Sequence, residues 1–133
     1  MTDPNYFYKQ NVEPKEYRIQ KLAYTLVKTP AVYHYDPTTK VLTMEKIPEM
    51  CVADMYGEDV PSEIFEMIRI TVSYLYCNGI EYPDVTGYNF IYYQKKIWII
   101  DFGDAFFRTK ETNNQYLLDF MFNGKNEWNP EYL

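Results

Sequence analysis

Tyr82-Pro83-Asp84-Val85-Thr86-Gly87-Tyr88-Asn89, followed by Ile99-Ile100-Asp101-Phe102-Gly103, is the stretch that decides the fold of this chain. It contains an Asp, an Asn five residues later and a second Asp that opens an Asp-Phe-Gly triplet. Carboxylate and amide oxygens are hard ligands of the kind that Mg²⁺ takes in proteins. Each residue alone is also common as a cap, a turn residue or a strand end. Their combined order and spacing favour one shared site.

The residues between these two segments predict how the segments meet. Residues 90–93 and 97–100 are short runs rich in aromatic and β-branched residues, joined by Gln94-Lys95-Lys96. If the runs pair as a hairpin, the Asp84 loop and the Asp101 turn face each other across one cleft.

The rest of the chain alternates between helical and extended patterns. Pro14 suits the first turn of a helix, and Asn78-Gly79 and Asn123-Gly124 suit helix ends. We predict an extended arm over 1–12 with a short strand at 6–9, a helix over 14–27, a hairpin over 31–35 and 41–46, a linker over 47–59 with a short strand around 51–53, and helices over 61–78 and 114–122.

In this order of elements the sequence resembles the protein-kinase-like superfamily, specifically its small atypical members. The segment from Asp84 to Asn89 is similar to the catalytic loop Asp-Leu-Ser/Thr-x-x-Asn of the RIO kinases and of the small kinase of the tRNA threonylcarbamoyl complex. The resemblance covers about residues 15–118. It implies an α+β, truncated protein-kinase-like fold with an αC-like helix, a β-hairpin, a hinge, a long helix, the hairpin that joins the catalytic loop to Asp-Phe-Gly, and a short C-terminal helix. Residues 1–133 would form a single minimal kinase-like domain.

The resemblance also implies a role for each candidate site residue. Asp84 would orient an attacking hydroxyl and accept its proton, while Asn89 and Asp101 would bind Mg²⁺ beside the phosphates of ATP. Lys9 and Glu16 would form the phosphate-holding ion pair. The alternatives are a solvated surface lysine and an ordinary first-turn carboxylate.

The resemblance implies one further contact with the nucleotide, and the sequence departs from the family pattern at several positions. Glu45 lies in a segment, 43–47, that looks like the hinge-proximal strand and would contact the nucleotide. No glycine precedes the first predicted helix, so we expect no Gly-rich cover over the phosphates. Tyr82 stands where the family usually has His, and it can pack under the Asp-Phe-Gly triplet. Asp119 is expected to be buried and to hold the catalytic-loop backbone, as an Asp does in larger kinases.

The composition of the chain indicates which kinds of molecule it could bind and where it would occur. The net charge of −6 predicts neither nucleic acid nor membrane as a partner. Cys51 and Cys77 are isolated and read as reduced, buried thiols of an intracellular, cytoplasmic protein. Fifteen Tyr and eight Phe predict aromatic surface that suits a protein partner or protein substrate. The abundance of Tyr, Phe, Ile, Asn and Lys fits AT-rich genomes, including those of large DNA viruses.

Three functions remain open from the sequence. The first is a minimal atypical kinase or ATPase that uses ATP and Mg²⁺. The second is an inactive pseudokinase that serves as a protein-interaction or structural module, for example in a virus-infected cell or a virion. The third is an unrelated small α+β binding protein, which requires the paired motifs to be a coincidence.

Overall fold

The computed structural model describes residues 5–133, so the first four residues of the predicted extended arm lie outside the described part. The helices are α1 Pro14–Tyr24, α2 Val52–Tyr56, α3 Ser62–Cys77 and α4 Gln115–Asn123. The strands are β1 Tyr6–Lys9, β2 Val32–Asp36, β3 Val41–Glu45, β4 Ile80–Glu81, β5 Phe90–Tyr93, β6 Lys96–Ile99 and β7 Phe106–Phe107. Two short 3-10 turns are Gly87–Asn89 and Pro130–Tyr132.

β1, β3 and β2 form an antiparallel sheet in that order. Lys9, the last residue of β1, lies opposite Leu42 in β3. Asn11 has a φ of 60°, a left-handed conformation that Asn tolerates, and it turns the chain from β1 into α1. Because this connection is short, the end of β1 lies next to Glu16 in the first turn of α1.

α1 begins at Pro14 as predicted but ends at Tyr24, three residues before the predicted boundary of 27. The backbone N–H and the hydroxyl of Thr25 both donate to the carbonyl of Leu22, at 3.0 and 2.7 Å. A side-chain hydroxyl that bonds to the backbone in this way competes with continuation of the helix.

α3 is the longest helix and the centre of the core. Its buried residues are Ile64, Phe65, Ile68, Arg69, Val72, Leu75 and Tyr76. Gly79, just beyond its end, has a φ of 89°, which a residue with a side chain rarely adopts. No helix within residues 5–133 combines the length and the apolar character needed to cross a membrane.

β5 and β6 form the predicted hairpin, with Phe90 opposite Ile99. Its turn has two residues rather than the predicted three. Gln94 and Lys95 have φ values of 52° and 62°, as a type I′ turn requires at both central positions. The sequence lacks the Asn-Gly or Asp-Gly pair that usually marks such a turn, which explains the misplaced strand boundary.

The predicted strand around 51–53 is wrong, because most of this segment is helical. Cys51 makes one isolated bridge to Ile91, and α2 begins directly after it. α2 lies close against the loop that contains Asp84, since a Cβ added to Gly87 would lie 3.0 Å from both the Cβ and the backbone nitrogen of Ala53. This tertiary contact has no signature in the local sequence.

The predicted burial of the two thiols is also wrong, because neither is fully buried. Cys51 is half-buried, whereas Cys77 at the end of α3 is exposed. Neither is part of a disulfide.

Arg69 joins α3 to the end of α4 from a buried position. Its guanidinium donates to the Phe120 carbonyl at 2.6 Å and to the Lys125 carbonyl at 3.0 Å. It also pairs with Glu66 and donates to the side chain of Asn126. Arg69 thereby satisfies carbonyl groups that a helix end leaves without partners.

We predict that Arg69→Ala lowers the free energy of unfolding by about 3 kcal/mol, because it leaves the buried Phe120 carbonyl without this donor and removes the bonds to Lys125 and Asn126. Arg18→Ala, at an exposed position of α1, is the control and should change it by less than about 0.5 kcal/mol. Urea denaturation of the three proteins measures the difference. Equal losses for the two variants would contradict this assignment.

Candidate functional site

A lysine shared by two carboxylates lies where β1, α1 and the Asp101 turn meet. The Lys9 ammonium donates to Glu16 Oε2 and, at 3.0 Å, to Asp101 Oδ1. Burial lowers the pKa of Lys9, but the carboxylates of Asp101 and Glu16 outweigh this effect and leave the pKa above its usual value. Lys9 is therefore not a solvated surface lysine, and its side chain is only 21% exposed.

Asp101 follows β6 and keeps its carboxylate accessible. Oδ1 accepts a second hydrogen bond, at 2.8 Å, from the backbone N–H of Gly103. A Cβ at Gly103 would lie 3.1 Å from that oxygen, so glycine allows the backbone to approach it. The Asp101 side chain is nevertheless 43% exposed, which leaves it free to contact a ligand.

Tyr82 supports the Asp101 turn from the core. Its ring is 1% exposed and packs edge-on against Phe102, with ring centroids 5.7 Å apart. Its hydroxyl donates to the backbone carbonyl of Asp101. Burial raises the pKa of Tyr82 well above its usual value, so the hydroxyl remains a donor. Tyr82 packs under the triplet as predicted.

The loop that contains Asp84 is closed by Asn89. Asn89 Nδ2 donates to the backbone carbonyl of Asp84 at 2.8 Å. The backbone N–H of Ile100 donates to the Asn89 carbonyl at 3.0 Å, which ties the loop to the end of β6. The β5–β6 hairpin therefore brings the Asp84 loop and the Asp101 turn together, as predicted.

A cavity of about 370 Å³ lies beside Lys9 and Asp101. Its lining residues are Phe7, Lys9, Pro30, Met44, Glu45, Lys46, Ile47, Glu49, Tyr88, Asn89, Ile91, Ile100 and Asp101. Four of the six predicted site residues are among them. Glu16 and Asp84 are not: Glu16 contacts the cavity residue Lys9, and Asp84 is bonded to the cavity residue Asn89.

Glu45 lines the cavity, but its carboxylate already has a partner in the protein. Oε1 accepts a hydrogen bond from the backbone N–H of Ala31 at 3.1 Å. The Glu45 side chain, on β3, therefore helps to hold the residue that precedes β2 in place.

Asn89 and Asp101 fit a magnesium ion through the chemistry of their donors. Donation by Nδ2 fixes the Asn89 amide and leaves the carbonyl oxygen Oδ1 for a cation. Within residues 5–133 no three His, Cys, Asp or Glu side chains lie close enough to hold a metal by themselves. The remaining ligands would have to be phosphate oxygens and water, which is usual for Mg²⁺.

Asn129 is a site residue that the sequence analysis missed. Its Nδ2 donates to the Pro83 carbonyl at 2.8 Å and its backbone N–H donates to the Val85 carbonyl at 2.9 Å. The expected anchor of this loop, Asp119, is only half-buried and accepts bonds from Gln115 and Asn123 within its own helix. The prediction for Asp119 is therefore wrong, since Asn129 holds the loop backbone. Nothing in the local sequence around Asn129 indicates this contact.

Sequence comparison identifies relatives of the chain. The family model for the RIO domain matches residues 2–119. The "Probable serine/threonine-protein kinase BUD32 homolog" of Archaeoglobus fulgidus is 31% identical over 116 residues, covering 73% of this chain and 56% of that protein. The chain thus spans little more than half the length of this curated relative. Both matches agree with the predicted resemblance to the small atypical kinases.

Two solved structures share the fold. The kinase PK-1 of Cydia pomonella granulovirus superposes with a TM-score of 0.62 at 14% identity, over 82% of this chain and 46% of that one. Rv3197 of Mycobacterium tuberculosis, solved with erythromycin, superposes with a TM-score of 0.53 at 21% identity, over 84% of this chain and 34% of that one. These similarities confirm the predicted kinase-like fold class, and the chain covers less than half the length of either structure.

Asp84 is in an environment that opposes its ionisation. Burial raises its pKa above the usual 3.8, the hydrogen bond with Asn89 lowers it in part, and the carboxylates of Asp104 and Asp101 raise it further. An acid with a raised pKa binds its proton more tightly in the folded chain than in the unfolded chain. Ionised Asp84 therefore lowers the stability of the fold at pH values above its raised pKa. This loss of stability disappears when the pH falls below the usual pKa of 3.8.

We predict that Asp84→Asn raises the melting temperature at pH 7 and that the gain disappears near pH 3, because the substitution removes a destabilising charge. Thermal melts across that range measure it. Asp36→Asn is the control, and we expect it to lower the melting temperature at pH 7. Backbone N–H groups of Thr38 and Thr39 lower the pKa of Asp36, so its ionised form stabilises the fold at pH 7. A stability loss at pH 7 for Asp84→Asn would contradict the account.

Proposed function

The chain belongs to the RIO domain family, and from this premise we propose that it is a minimal atypical kinase or ATPase that binds ATP with Mg²⁺. Kinase-like proteins generally use these two ligands. The acceptor is the hydroxyl of a protein substrate or a water molecule, in an intracellular setting.

The observation that carries the proposal is the Lys9 ammonium between Glu16 and Asp101. One cation there joins a strand, a helix and the Asp-Phe-Gly turn at the rim of a cavity of about 370 Å³. An ammonium fixed by a carboxylate behind it is a suitable partner for phosphate oxygens. The exposed carboxylate of Asp101 lies beside it, where a cation shared with the phosphates would bind.

The lining of the cavity favours a nucleotide over free phosphate as the ligand. Apolar side chains of Phe7, Met44, Ile47 and Ile91 line it, and such walls suit the faces of a planar base. Polar and charged side chains line it as well: Lys9, Glu45, Lys46, Glu49, Asn89 and Asp101. This combination of apolar and charged lining suits a base joined to a polyphosphate.

Asp84 is proposed as the proton acceptor. As the acceptor oxygen bonds to the γ-phosphorus and the bond to the ADP oxygen breaks, the acceptor's proton passes to the Asp84 carboxylate. Its raised pKa makes this carboxylate a stronger base than an ordinary Asp. Mg²⁺, when bound, supplies positive charge that offsets the charge of the phosphates.

The alternative function is a pseudokinase that binds a protein partner, in an infected cell or a virion if its origin is viral. Exposed aromatic side chains favour it: Tyr24, Tyr33, Tyr74, Tyr88 and Phe122 are each at least half exposed. Exposed rings of this kind suit protein interfaces. The alternative predicts a folded protein without turnover.

We predict that Asp101→Asn abolishes metal-dependent turnover, because it removes a charged ligand of the metal and a partner of Lys9. Asp84→Asn should also reduce turnover but leave ATP affinity nearly unchanged, because Asp84 contacts the acceptor and not the nucleotide. Release of phosphate or ADP measures turnover, and calorimetry measures affinity.

Asp59→Asn, at an exposed position far along the chain from both motifs, is the matched control and should behave as wild type. Turnover that survives both active-site substitutions would overturn the site assignment. A wild type without turnover that keeps binding ATP would favour the pseudokinase alternative.

A further inference from the structure

The residues that follow α4 form a segment that returns to the catalytic loop. Trp128 packs against Phe65 of α3, with ring centroids 4.6 Å apart. The next residue, Asn129, is completely buried although it lies in a stretch that is otherwise largely exposed. A fully buried Asn is costly unless its polar atoms are satisfied, and here they bond to the loop that carries Asp84.

The backbone carbonyls of the residues before and after Asp84 are both bonded to Asn129. Nδ2 donates to the Pro83 carbonyl at 2.8 Å, and the backbone N–H donates to the Val85 carbonyl at 2.9 Å. Oδ1 accepts from the backbone N–H of Glu131 at 3.1 Å, which fixes the amide with Nδ2 towards the loop. One residue from a distant part of the chain thus holds the backbone immediately before and after Asp84.

Two side chains of the loop, Tyr82 and Val85, are buried in the core and also hold it in place. Residues 82–86 contain no helix or strand. Their bonds to Asn89 and to each other close the loop locally but do not attach it to the C-terminal part of the molecule. The Asn129 contacts supply that attachment.

We propose that Asn129 is a positioning residue that sets the orientation of Asp84 towards the acceptor, an inference that rests on the proposed phosphotransfer. Asn129 does not line the nucleotide cavity. Its loss should therefore affect the acceptor side of the reaction while ATP binding is retained. A residue needed only for folding would affect both together.

Asn129→Asp is the sharpest variant, because it preserves size and the acceptor for Glu131 but replaces the donor facing Pro83 with oxygen. Asn113→Asp, at an exposed position, controls for the added charge. We expect faster hydrogen exchange in residues 82–89, unchanged exchange in α3, a fall in kcat of about 100-fold and a change in ATP affinity of less than about twofold. If α3 exchange also rises, Asn129→Ala, which removes the side-chain donor without adding charge, replaces this variant with the same expected results.

Wild-type exchange in the loop together with wild-type kcat would overturn the inference, as would a parallel loss of kcat and ATP affinity. A wild type without any turnover would overturn the proposed function and the catalytic part of this inference. In that case hydrogen exchange alone decides whether Asn129 holds the loop.

Discussion

The site depends on one shared cation, the Lys9 ammonium held by Glu16 and Asp101. It joins the edge of the sheet to α1 and both to the turn after β6, so three elements distant in sequence are fixed at one point. Removal of one partner from such a pair leaves the other charge without compensation in a partly buried place, which costs far more than a surface ion pair contributes. The apolar cavity and the Asp84 loop are arranged around this point.

The proximity of the Asp84 loop and the Asp101 turn could be predicted from sequence, because the two β-rich runs between them indicate a hairpin. The structure has that hairpin. The Lys9–Glu16 pair was harder to predict, because seven residues leave little room for a strand, a turn and a helix start. The left-handed Asn11 makes the connection possible, and no propensity rule would have assigned it that conformation with certainty.

The two larger errors share a physical cause, since each concerns a contact between distant parts of the chain. α2 is a helix where its β-prone residues predicted a strand, and it lies against Gly87. The loop anchor is Asn129, not Asp119, because a buried amide 46 residues from Pro83 satisfies the loop backbone. Local patterns carry no information about such partners, so structure was needed to find them.

Isothermal titration of ATP into the wild-type protein, with Mg²⁺ and with EDTA, tests the central claim most directly. The shared Lys9 ammonium and the accessible Asp101 carboxylate predict saturable binding at one site that is weak and depends on Mg²⁺, because few donors in the described chain share the phosphate charge. Binding that is equally tight without metal would contradict this account of the site. No detectable heat at millimolar ATP would contradict the proposed nucleotide-binding function altogether.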